Sequence, residues 1–79
     1  MTIGDKIENT NNILDKLYQE RDKLLKEIKS LTFQYEEYGE DEGYTLKLEI
    51  EDNQKQLSKI EKDIEGTNQI KNMLIKIKR

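Results

Sequence analysis

The sequence predicts a mainly α protein: an antiparallel helical hairpin of coiled-coil type that self-associates. Three observations carry that expectation. Apolar side chains recur at alternating spacings of three and four residues in both halves of the chain. Charged residues make up 39% of the sequence, yet the net charge is only -3, and there is no proline in 79 residues. Dense mixed charge without proline is the composition of long helices. Isoleucine, leucine and phenylalanine together supply 20 residues, enough apolar material to favour folding over disorder. The chain reads as one small domain with a first arm at about 5–30, a tip at about 31–52 and a second arm at about 53–78.

The first arm carries the clearest pattern. Its seam positions are Ile3, Ile7, Thr10, Leu14, Leu17, Arg21, Leu24, Ile28, Leu31, Tyr35 and Tyr38, the a and d spacing of a heptad repeat. Ile13, Tyr18 and Leu25 flank the seam and widen the apolar stripe, which points to more than one helical neighbour.

The second arm repeats the spacing with Ile50, Asn53, Leu57, Ile60, Ile64, Thr67, Lys71 and Leu74. The pattern weakens after Gly66, where Ile70, Met73 and Ile77 fit a register shifted by one residue. Glycine in a helix interior costs about 1 kcal/mol relative to alanine, so a kink or frayed end is expected near Gly66.

Folding the chain back about its middle pairs residues whose numbers add to 81. Leu14 then meets Thr67, Leu17 meets Ile64, Leu24 meets Leu57, and Leu31 meets Ile50. Arg21 faces Ile60 and Asn53 faces Ile28; polar seam positions of this kind can fix register at some cost in stability.

The tip admits two readings. As helix, the first arm ends at Tyr38 with Gly39 as its cap and the chain restarts after Gly43, leaving Phe33 and Leu48 on outer faces. As a β-hairpin at about 31–51, Leu31, Phe33 and Tyr35 alternate with polar residues, as do Tyr44, Leu46, Leu48 and Ile50. The second reading also makes Asn53-Gln54-Lys55-Gln56 a capping box for a helix starting at residue 54.

Composition excludes most chemistry. There is no cysteine and no histidine, which removes disulfides, thiolate metal sites, cysteine nucleophiles and the commonest general base. Carboxylates such as Glu36 and Glu37 have no evident pocket, and Gly39-Glu40-Asp41-Glu42-Gly43 lacks the alternating ligands of an EF-hand loop. No enzyme activity, metal or cofactor is expected. No apolar run approaches the roughly 20 residues that span a bilayer, and Met1-Thr2-Ile3-Gly4-Asp5-Lys6 does not read as a signal peptide. A cytoplasmic protein is expected. Lys71, Lys76, Lys78 and Arg79 make the last segment basic, which suits the negative end of a helix. The interleaved charges elsewhere offer no phosphate-tracking stripe, so nucleic acid is not an expected partner.

What remains is binding. Between residues 36 and 52 eight acids oppose one lysine, and four of the five aromatic residues lie between 33 and 44. The sequence therefore points to a protein-interaction module, an adaptor, assembly factor or inhibitor, whose tip engages another protein. Phe33, Tyr35, Tyr38, Tyr44 and Leu48 would be its anchors, with Glu40, Asp41 and Glu42 for steering. Self-association, most simply a dimer forming a four-helix bundle, would use Ile13, Leu14, Leu17, Tyr18, Leu24, Leu25, Ile28, Leu57, Ile60 and Ile64. With a β-hairpin tip, the order of elements resembles prefoldin subunits; that resemblance implies hairpin-mediated assembly and a holdase chaperone whose arm ends bind clients. A third reading is an acidic decoy for a nucleic-acid site, with salt-sensitive binding.

Overall fold

The computed structural model describes residues 2–78, and the chain is an elongated hairpin of two antiparallel helices. Helix α1 spans Ile3–Glu42, interrupted near its end by a kink at Gly39 where the backbone is not helical, and α2 spans Tyr44–Lys78, with Gly43 between them. The Cα atoms fill 57 × 16 × 14 Å. At 1.5 Å per residue, the run from Ile3 to Tyr38 accounts for about 54 Å of that length.

Helix α1 begins with a reciprocal cap. Thr2 Oγ1 accepts from the Asp5 amide at 3.1 Å, and the Thr2 amide donates to Asp5 Oδ2 at 3.2 Å. Two otherwise unpaired donors are thereby satisfied, with a carboxylate at the positive end of the helix.

The seam forms as its spacing predicts. Leu14, Leu24 and Ile64 are buried, Leu14 most fully at 4% exposure. Ile7, Leu17, Ile28, Leu31, Leu57, Ile60 and Leu74 are half-buried along the same line. Thr10 and Thr67 occupy seam positions without stranding a hydroxyl, because each donates to the carbonyl four residues earlier, Lys6 and Asp63, at 2.7 Å. The predicted pairing holds to within about one turn. Ile13 and Leu17 share a groove with Gly66 and Thr67, Leu24 shares one with Gln56 and Ile60, and Leu31 shares one with Asn53.

The tip is helical, and the β-hairpin reading is overturned. Residues 31–38 continue α1, residues 44–51 open α2, and no strand occurs among the described residues. Two isolated strands are marginal in water. Leu31, Tyr35, Leu46 and Ile50 serve the helical seam equally well, because each pair is four residues apart. The reversal rests on Gly39, whose φ of 79° and ψ of 179° lie in a region that only glycine occupies readily. Its carbonyl accepts from the Gly43 amide at 2.8 Å, and the Gly43 carbonyl accepts from Lys47 at 2.9 Å.

Three further expectations are corrected. Asn53 does not cap a helix; it lies half-buried inside α2, so the arms are longer than predicted. Nor does α2 break at Gly66: it runs as one helix to Lys78, since a glycine's cost is small beside losing the last turns. The shifted register after Gly66 is not adopted either. Lys71 and Leu74 keep the original seam, while Ile70, Met73 and Ile77 are exposed.

Candidate functional site

The tip brings its acids and aromatics to one end but does not gather them on one surface. By hydrogen bonding, Gly39 acts as the cap of the second helical run. Glu40, Asp41 and Glu42 therefore fill a first turn, where negative charge complements the helix dipole. All three are exposed, and their charge serves local structure before any partner is considered.

The predicted anchors divide into four groups. Tyr35 is half-buried, its ring packed against Gly43. Tyr44 and Leu48 lie one turn apart on the outer side of α2, and Leu48 is 48% exposed. Phe33 is 64% exposed on the outer side of α1, bordered by Lys26, Lys29, Thr32 and Glu36. Tyr38 is exposed at the helix end. Phe33 and Leu48, which the fold-back rule sets opposite each other in the strand reading, are both left exposed once both segments are helical.

The predicted association residues divide as well. Leu14, Leu24 and Ile64 are consumed by the hairpin's own core, with Leu17, Ile28, Leu57 and Ile60 half-buried beside them. Ile13 and Leu25 stay exposed, but they do not form one stripe. Twelve residues apart on a helix places them about 120° apart in azimuth. Tyr18 and Leu25, seven residues apart, share the flank where Asn68 Nδ2 donates to Tyr18 Oη at 3.4 Å. On that flank the Arg21 guanidinium carbon lies 4.9 Å from the centre of the Tyr18 ring, and Arg21 Nη2 lies 3.7 Å from Asp22.

The opposite flank holds a feature that seam counting alone passes over. Ile13, Glu20 and Glu27 recur every seven residues on α1; Glu49, Gln56, Asp63 and Ile70 do so on α2. These rows border one groove between the helices, lined successively by Ile13 with Ile70, by Leu24 with Ile60, and by Leu31 with Glu27, Glu49 and Asp52. At its open end Ile70 is joined by Met73 and Ile77, the last 64% exposed. The i, i+3, i+7 spacing of those three residues was legible as a helical stripe, though not as an outward one.

Among the described residues no cluster of acids or other ligating side chains is placed to hold a metal ion, and no helix is long and apolar enough to cross a membrane. No protein family, curated protein or solved structure matches the chain.

Proposed function

We propose that the chain is a non-enzymatic protein-interaction module, an adaptor, assembly factor or inhibitor that works by occupying a surface. The observation that carries this reading is an imbalance between core and surface. Among the described residues three large hydrophobic side chains are buried and nine are exposed: Ile13, Leu25, Phe33, Tyr38, Tyr44, Leu48, Ile70, Met73 and Ile77. Scattered single apolar residues need no explanation, but stripes of them along a thin hairpin are the mark of an association surface. Two such surfaces lie at opposite ends. The open-end stripe suits self-association, and the tip, with Tyr38, Tyr44 and Leu48 beside three carboxylates, suits another protein with a basic surface.

The test is site-specific photocrosslinking in the source cell. A photoreactive residue at position 44 should trap one discrete polypeptide distinct from the chain, and Y38A combined with E40Q, D41N and E42Q should abolish that product. A probe at Asp15, on a charged face, should trap nothing. Crosslinking at position 44 only to another copy of the chain would overturn the tip as the site for a foreign protein. The holdase reading loses its basis in a strand-built assembly, because the tip is helical. The acidic-decoy reading is weakened by the dipole-complementing position of Glu40, Asp41 and Glu42.

A further inference from the structure

We infer that the groove bordered by Ile13 and Ile70 is covered by a second copy of the chain laid antiparallel, so that the tip of each hairpin lies beside the open end of the other. This deepens the interaction-module reading by assigning one of its two surfaces an occupant and an orientation. Charge is unevenly distributed along the groove. Its tip half is bordered by Glu27, Glu49 and Asp52 with no cation among the groove-lining residues there. Its open half has Lys62 beside Asp63 in the groove wall. Lys6 and Lys16 extend that half, seven residues before and three after Ile13 on α1. A parallel neighbour would set carboxylates against carboxylates at the tip. An antiparallel neighbour sets each acidic half against a half carrying lysines, and separation along a 57 Å rod prevents one hairpin from neutralising itself at a Debye length of about 10 Å.

The apolar positions agree with the same orientation. At 1.5 Å per residue, Ile70 and Leu31 stand at mirrored distances from the middle of the hairpin. A two-fold axis through that middle therefore places Ile70 of one copy over the Leu31 groove of the other. Leu24 and Ile60, which line the central stretch, meet their own counterparts at the axis. Such a contact is isologous and closed, so it ends at a dimer rather than a filament. A face 57 Å long and 14 Å wide offers roughly the 800 Å² per partner of a standard interface.

The absence of cysteine makes orientation directly measurable. Met73→Cys and Glu49→Cys place single thiols at exposed positions near opposite ends of the groove. With a short bifunctional thiol reagent, a mixture of the two variants should yield a crosslinked dimer, while Met73→Cys alone should yield little. Raising salt from about 0.01 M to about 1 M should weaken the dimer about tenfold or more, as the Debye length falls from roughly 30 Å to 3 Å. Efficient crosslinking of Met73→Cys to itself would show open ends together and overturn the antiparallel arrangement while leaving the interaction-module reading intact. A chain that sediments as monomer at every concentration, or a dimer that yields neither product, would also overturn it. Loss of the tip's foreign partner would instead register only in the photocrosslinking test above.

Discussion

The ring of Tyr35 closes over Gly43: a Cβ built on that glycine would stand 2.8 Å from Tyr35 Cδ2 and 2.5 Å from the Gly39 carbonyl oxygen. The tip thus depends on two glycines for different reasons, Gly39 for its backbone angles and Gly43 for want of space. G43A should lower stability by about 1–3 kcal/mol, measured by urea unfolding. Because the nearer obstacle is backbone, Y35A should not restore it; full rescue by Y35A would show that the ring alone sets the constraint.

Gly39 and Gly66 make a matched pair, since neither has a heavy atom within 4 Å of an added Cβ. At Gly39 the positive φ makes alanine costly by about 1–3 kcal/mol. At Gly66, inside α2, alanine should stabilise by roughly 0.5–1 kcal/mol through helix propensity. Thermal melts of G39A and G66A moving in the same direction would contradict the helical tip.

The Thr2–Asp5 capping box predicts that T2A destabilises the hairpin by about 0.5–2 kcal/mol. Amide exchange should quicken first in the opening turn of α1. Unchanged protection at Asp5 would mean that the cap is not maintained in solution.

Arg21 occupies a seam position with its Nε buried and unpaired. Satisfying or removing such a group is favourable, since an unmet buried donor costs about 1–3 kcal/mol. R21L should therefore raise the midpoint of unfolding, partly offset by loss of the contact with Tyr18. L24A, which opens the core, should lower stability by about 2–5 kcal/mol. A destabilised R21L would reveal a polar role for Arg21 beyond its contact with the Tyr18 ring.

The arms were legible because Leu14, Leu17, Leu24, Leu57, Ile60 and Ile64 repeat at heptad spacing and sum to a consistent fold-back. The tip was harder to read because Leu31 with Tyr35 and Leu46 with Ile50 satisfy both helical and alternating patterns. Phe33 and Leu48 tipped the alternation toward strand, although their exposure shows that they pack against neither helix. Asn53 imitated a cap while serving as a polar seam residue, whereas Thr2-Ile3-Gly4-Asp5 carried a genuine box in plain view. The scattering of the aromatics over different faces could not be read without knowing that residues 31–51 are helical, because that choice alone decides which side each ring takes.

The central proposition is that this hairpin is too thinly cored to work alone and is completed by association. Sedimentation equilibrium over a hundredfold range of protein concentration, at low salt, tests it most directly. The expected result is a species of twice the 9.4 kDa chain mass, whose thermal midpoint rises with concentration and which I70D together with M73D converts to monomer. A 9.4 kDa monomer throughout, with a concentration-independent melt, would contradict it.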